Sequence, residues 1–214
     1  MSLIADRLCW RRLSGVLAIF VALSACSVLD KPTRALVYDF GPGLPSSAQT
    51  ESAASRPAVM LAQVAAHSAL DSTAILYRLA YADEQRLLPY AQARWSMPPA
   101  QLLHLRLRET LAQRFVVLRE GEGAADGSLR SLVLHLELDE FSHLFEAPGE
   151  SLGLVHVHAS VMRPTAAGDR LLAQRDFTVR RAAPSADAAG GVRALTAAAD
   201  GVLADIAQWL IDLQ

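Results

Sequence analysis

The stretch Leu132–Phe141 reads LVLHLELDEF, in which leucine alternates with a second residue. The leucines at even-numbered positions share one side of an extended chain, opposite a valine, a histidine and two carboxylates. This period of two predicts a β-strand with one buried face. The apolar positions become odd-numbered at Phe141, and a one-residue shift exchanges the two faces of a strand. The sequence therefore predicts a β-bulge at Asp139–Glu140.

A second alternating segment follows and extends the same sheet. Its apolar positions are Val155, Val157, Ala159 and Val161, and the side chains between them are His156, His158 and Ser160. The segment Ala147-Pro148-Gly149-Glu150 has the composition of a turn, so the two segments form a predicted hairpin. After a turn at Thr165–Asp169, Leu171–Val179 is predicted as a third strand.

Two helices are predicted, one on each side of these strands in the sequence. Ala100–Gln113 follows Pro98-Pro99 and places Leu103, Leu107 and Leu111 on one stripe, and proline is tolerated in a first helical turn. A final helix over residues 190–213 has an apolar stripe that includes Trp209.

Shorter strands are predicted upstream, at residues 34–40, 58–64, 73–81 and 87–90, and between the helix and the hairpin at 115–118. Pro89 restricts its strand to an edge or a short stub. The order of elements predicts an α+β fold: an antiparallel β-sheet with two α-helices packed on one face, in a single domain after a lipoprotein signal peptide.

The N-terminal residues have the composition of a secretory signal peptide. Three arginines precede an apolar run, which ends in Leu23-Ser24-Ala25-Cys26. This pattern predicts a signal peptide at residues 1–25 that is too short to span a membrane, and the tetrapeptide resembles a bacterial lipobox. We expect cleavage between Ala25 and Cys26 and acylation of Cys26; the alternative is an ordinary signal peptide with an incidental cysteine. Residues 26–33 would form a tether, and residues 34–214 the domain.

The net charge and the cysteine content limit which partners, membrane anchors and disulfides are expected. The formal net charge is −2, and loss of the arginine-rich signal peptide makes the mature chain more acidic. An acidic domain argues against nucleic acid as a partner and against electrostatic adhesion to anionic lipid, so the acyl chains are the expected anchor. Cys9 lies in the signal peptide and Cys26 is used for lipid, so no disulfide is expected. Ser27, where an aspartate commonly marks inner-membrane retention, favours the outer membrane, with the domain facing the periplasm.

No enzyme motif is recognisable in the sequence. It lacks the nucleophile elbow, the phosphate-binding loop, the dinucleotide fingerprint and the zinc-protease helix motif. His156 and His158 share one strand face, and His135 and His143 lie on the preceding strand. A solvated face explains these histidines and the nearby Glu137, Asp139 and Glu140, so neither a metal site nor acid–base catalysis is predicted, and no cofactor is expected.

Arg94-Trp95, directly before Ser96-Met97-Pro98-Pro99, is a candidate partner contact. Arginine and tryptophan are enriched at the energetic centres of protein interfaces. The alternative is that Trp95 packs against the start of the helix.

The chain resembles the ABC-type transport auxiliary lipoproteins, the family that includes paraquat-inducible protein C. The resemblance covers nearly the whole mature chain, in the expected order. The residues that carry it are Ala74-Ile75-Leu76-Tyr77-Arg78, Leu88-Pro89-Tyr90-Ala91, Ala93-Arg94-Trp95-Ser96-Met97-Pro98-Pro99, Leu136-Glu137-Leu138-Asp139-Glu140-Phe141-Ser142, Phe145-Glu146-Ala147-Pro148, Leu172-Ala173-Gln174-Arg175 and Asp187-Ala188-Ala189-Gly190-Gly191-Val192.

The resemblance implies an envelope lipoprotein without catalytic residues. It would work with a lipid or organic-solvent transporter that comprises an ABC permease, an ATPase and a substrate-binding protein of the mammalian-cell-entry type. Relatives can assemble as rings, so a homo-oligomeric ring is a possible state. Two alternatives stay open from the sequence: a lipid-carrying binding protein, and a purely structural outer-membrane lipoprotein.

Overall fold

The computed structural model describes residues 34–43, 56–118 and 131–213. The predicted signal peptide at 1–25 and tether at 26–33 lie outside the described residues. The described strands are β1 (Leu36–Tyr38), β2 (Ala58–Leu61), β3 (Ala65–Ala66), β4 (Ala74–Leu79), β5 (Glu84–Trp95), β6 (Val116–Leu118), β7 (Leu132–Ala147), β8 (Glu150–Thr165) and β9 (Gly168–Ala182). The helices are α1 (Ala80–Asp83), α2 (Pro99–Ala112) and α3 (Ala188–Asp212).

The long strands β7, β8 and β9 form an antiparallel meander, as their alternation predicts. Leu134 lies opposite Val161, and Val157 lies opposite Phe177; all four side chains are buried. The β7–β8 turn contains Gly149 at a φ of 85°, a left-handed conformation that glycine adopts without a steric penalty. The predicted hairpin is therefore confirmed.

The predicted bulge is also present in β7. The register between β7 and β8 shifts between Leu138 and Glu140, and the shift restores Phe141 to the buried face after the leucine series. Leu138 and Phe141 are both buried, so Asp139 and Glu140 between them both lie on the outward face.

The sheet is mixed, although the sequence predicted an antiparallel one. Along its second edge, β7 pairs in parallel with β2, β3 and β4, at successively later positions. The chain from β2 to β4 thus follows β7 in a single direction instead of folding back on itself. β4 continues to β5 in antiparallel pairing, β5 to β1 in parallel, and β2 to β6 in parallel.

Pro89 lies at an edge, as predicted, but in a strand of twelve residues and not a short stub. It faces Leu76 of β4. β1 reaches only the last part of β5, from Ala93 to Trp95. Among the described residues, the other side of β5 at Pro89 has no strand partner, so its missing N–H breaks no ladder bond there.

The two long helices share one hydrophobic core with the sheet, which confirms the α+β class. α3 packs on β7, β8 and β9, and α2 packs on α3 and β6. Trp209 of α3 is buried, and its ring lies edge-on to Phe177 with 5.6 Å between centroids. α3 is long and apolar enough to cross a membrane, yet half of its apolar stretch is buried inside the protein, as in a core helix.

Candidate interaction surface

Arg94 and Trp95 are the last two residues of β5, and their side chains lie on opposite faces of the sheet. Successive strand residues alternate between faces, and here Trp95 is inward while Arg94 is exposed. The backbone N–H of Trp95 donates to Thr73 O at 2.7 Å, which fixes this end of the strand.

Trp95 is a core residue and is not available to a partner. Only 1% of it is exposed. Its ring packs edge-on against Phe40 and Phe141, with 5.7 Å between centroids in each pair. The proposed partner contact at Trp95 is therefore corrected to packing, because the alternation that exposes Arg94 turns Trp95 inward.

Arg94 adjoins an exposed apolar strand edge. Its partner in the parallel register is Val37 of β1, so the two side chains share the outward face. Val37 is 53% exposed, and Leu36 beside it is 61% exposed on the other face. In the described part of the chain, β1 ends the sheet and its second edge pairs with no strand. We call Leu36, Val37 and Arg94 the β1 edge surface.

A shallow cleft of about 170 Å³ opens at the carboxyl end of β1. Apolar side chains of Phe40, Met97, Leu102 and Leu105 contribute to its lining. Arg106 of α2 also lines the cleft. Its guanidinium donates to the carbonyl oxygens of Phe40, Gly41 and Pro42, and its Nε lies 3.3 Å from Asp200 Oδ1 of α3. This buried arginine holds the chain after β1 against both long helices.

A buried histidine lies where β5, β7 and α3 meet. The Tyr90 hydroxyl and His143 Nδ1 are hydrogen-bonded at 2.8 Å, and His143 is fully buried. Burial lowers the pKa of His143 to about 4 and raises the pKa of Tyr90 to about 12. Both side chains are therefore neutral at pH 7, which suits a packed interior.

The outward face of β7, β8 and β9 carries a cluster of imidazoles and carboxylates. His156 Nδ1 lies 3.9 Å from Asp139 Oδ2, and His156 Nε2 lies 3.6 Å from Asp176 Oδ1. His158 Nδ1 lies 2.9 Å from the same Asp176 oxygen, and this hydrogen bond lowers the pKa of Asp176. The sequence predicted the shared face of His156 and His158 but did not single out Asp176, because the register of β9 on β8 was unknown.

Several segments that carry the family resemblance have structural roles. Arg78 Nη2 lies 3.0 Å from Glu140 Oε2 and links β4 to the bulge of β7. The Asp187 carboxylate accepts from the N–H of Gly190 at 2.7 Å and caps the N-terminus of α3. A Cβ at residue 191 would overlap the imidazole of His143. This second glycine is therefore needed for close packing of α3 on the sheet.

Comparison with known proteins agrees with this architecture. The family model for the ABC-type transport auxiliary lipoprotein component matches residues 38–207. No curated protein matches the chain.

Three solved structures share the fold at low sequence identity. A Xanthomonas campestris protein assigned to the DUF330 family has a TM-score of 0.67 at 19% identity, over 84% of this chain and 96% of its own. The crystal structure of an uncharacterized protein gives a TM-score of 0.63 at 15% identity, over 83% and 99% of the two chains. A hypothetical protein from Chlamydia trachomatis gives 0.50 at 10% identity, over 72% and 95%.

The structural matches establish the fold alone, whereas the family model spans most of the chain from β1 into α3. The chain therefore belongs to the family of ABC-type transport auxiliary lipoprotein components.

Proposed function

We propose that this protein is a periplasm-facing lipoprotein that docks onto the mammalian-cell-entry-type subunit of an ABC transporter for lipids or organic solvents. It is anchored in the outer membrane through Cys26 and acts without catalysis. The observation that carries the docking role is the β1 edge surface. Exposed backbone at the end of a sheet, flanked by apolar side chains, is suited to pair with an incoming strand.

The chemistry of the β1 edge surface supports a protein partner. Leu36 and Val37 project from the two faces of the edge strand, so an added strand would have an exposed apolar neighbour on each face of the sheet. Arg94 supplies a guanidinium fork beside Val37 for a carboxylate or carbonyl of the partner. The apolar pair and the arginine together provide contact area and direction.

The cleft beside β1 is too small to enclose a lipid: its volume of about 170 Å³ is below the ~300–1,000 Å³ of typical small-molecule pockets. A lipid-carrying role would instead predict lipid that co-purifies with the protein. Lipid extraction and mass spectrometry of the purified domain test this second candidate.

Co-purification of the detergent-solubilised lipoprotein with the transporter subunits encoded beside it tests the docking proposal. We expect Val37→Asp and Arg94→Ala to weaken the association, because they change the edge surface without altering the core. Leu171→Asp is the matched control: Leu171 is also an exposed apolar strand residue, at 47% exposure, but lies on β9. Association that persists in both edge variants would remove the β1 edge surface from the interface, and no association of the wild type with any subunit would refute docking.

A further inference from the structure

The bulge in β7 concentrates acidic side chains beside a histidine on the outward face of the sheet. Asp139 is the additional residue of the bulge, so it shares the outward face with Glu140 instead of alternating with it. His156 of β8 lies next to this pair, and Asp176 of β9 lies on its other side. Three adjacent strands therefore bring one imidazole and two carboxylates together.

The distances within this group, Asp139, His156 and Asp176, are those of potential ligands to one ion. One ligand atom from each residue can be chosen so that all three lie within 4.8 Å of one another. His156 faces the two carboxylates with different ring nitrogens, Nε2 at 3.6 Å from Asp176 Oδ1 and Nδ1 at 3.9 Å from Asp139 Oδ2. Only one of these nitrogens can bind a given ion, and two ligands on one tetrahedral zinc lie roughly 3.3–3.6 Å apart at bond lengths of about 2.0–2.2 Å. All three side chains are at least partly exposed, so their rotation can bring one ring nitrogen and both carboxylates to that spacing.

A hydrogen-bonded chain on β8 and β9 orients one of these carboxylates. His158 Nδ1 holds Asp176 Oδ1 at 2.9 Å, and His158 Nε2 lies 3.4 Å from the Ser160 hydroxyl. The Gln174 amide donates to that hydroxyl at 2.9 Å. Outer hydrogen bonds of this kind fix ligand orientation in metal sites. Among the described residues, neither the His156 ring nor the Asp139 carboxylate has a side-chain hydrogen-bond partner outside this group of three.

We propose that Asp139, His156 and Asp176 bind a divalent transition-metal ion of the zinc class, with water in the remaining coordination positions. An imidazole among the ligands favours zinc over magnesium or calcium, which prefer oxygen-only sites. The site lies on β7, β8 and β9 and does not include the β1 edge surface. It is thus independent of the proposed docking function.

Calorimetric titration with ZnCl₂ tests the proposal on the full, detergent-solubilised lipoprotein, stripped with chelator and free of any polyhistidine tag. We expect one saturable site in the wild type. His156→Gln and Asp139→Asn should each weaken its affinity at least about tenfold. His135→Gln is the matched control, because His135 is exposed on the same face of β7 but outside the three ligands; it should bind zinc as the wild type does.

Circular dichroism melts of each variant verify the fold, and the two ligand variants provide independent tests if one of them fails to fold. Absence of saturable binding by the wild type would show that the group forms ion pairs only and would overturn the proposal. Wild-type affinity in folded His156→Gln, or an equal loss in His135→Gln, would also overturn it.

Discussion

At the scale of single residues, the contact between Gly191 and His143 determines how closely α3 approaches the sheet. A Cβ at position 191 would overlap the imidazole, which is buried and hydrogen-bonded to Tyr90. We expect Gly191→Ala to lower the free energy of unfolding by about 1–3 kcal/mol through overpacking, despite the higher helix propensity of alanine. Chemical denaturation measures the change.

Gly201, in the same helix, is the matched control for Gly191. A Cβ there would meet mainly the end of the Arg181 side chain at 3.0 Å and Val179 Cγ1 at 3.2 Å. Arg181 is exposed and can move, so Gly201→Ala should cost less than Gly191→Ala. An equal loss in the two variants would show that the His143 contact is not the cause.

His143 also makes stability depend on pH. Burial lowers its pKa from the ordinary 6.5 to about 4 in the folded protein, so the unfolded chain binds more protons between these values. The free energy of unfolding therefore falls as pH decreases from about 6.5 to 4, and this contribution levels off below 4. One pKa unit corresponds to about 1.4 kcal/mol, so the full loss is on the order of 3 kcal/mol.

Urea denaturation of wild type and His143→Gln at a series of pH values measures this dependence. The difference in free energy of unfolding between the two proteins should change with pH between 4 and 6.5 and stay constant at higher pH. A difference that is independent of pH across the whole range would mean that His143 is not the group that titrates.

At the scale of elements, α3 is the main apolar cover of the β7–β9 meander. Trp209 is its largest aromatic anchor, in edge-on contact with Phe177 of β9. Truncation of a buried tryptophan typically costs about 3–5 kcal/mol. We expect Trp209→Ala to lower the melting temperature clearly, as followed by circular dichroism; a variant that melts with the wild type would show that the C-terminal part of α3 is not docked.

The sequence predicted those elements whose pattern is local. Leucine and valine alternation predicted β7 and β8, the parity change at Phe141 predicted the bulge, and the apolar stripes predicted α2 and α3. The parallel pairing of β2, β3 and β4 with β7 was missed, because strand partners are set by contacts distant in the sequence. Neighbouring residues in the sequence also proved to be separated in space, as the opposite faces of Arg94 and Trp95 show.

The candidate sites show the same difference between residues that the local sequence identifies and residues that only the strand pairing reveals. Arg94 was identified from residue type alone, whereas its apolar neighbours Leu36 and Val37 required the β1–β5 register. In the same way His156 and His158 were recognised as a pair, but Asp176 joins them only through the pairing of β8 with β9. The register between two strands depends on contacts between separate segments, so the local pattern of either segment alone does not reveal which residues face each other.

At the scale of the whole molecule, the predicted lipid anchor and the proposed docking surface involve different residues and can be tested separately. The predicted anchor at Cys26 precedes β1 in the sequence and shares no residue with the β1 edge surface. We expect mass spectrometry of the mature N-terminus to show an acylated Cys26. A variant in which residues 1–26 are replaced by a secretory signal peptide that is cleaved without lipidation should move from the outer-membrane fraction to the soluble fraction.

The behaviour of the released protein distinguishes anchoring from recognition. The non-lipidated variant keeps every residue of the β1 edge surface, so in solution it should still bind the isolated mammalian-cell-entry-type subunit. In cells it should fail to support transport, because the acyl chains supply the membrane attachment that docking alone does not. Loss of binding in solution would instead mean that the lipid or the membrane is part of the interface. An unmodified N-terminus, or cleavage at another position, would contradict the anchor itself.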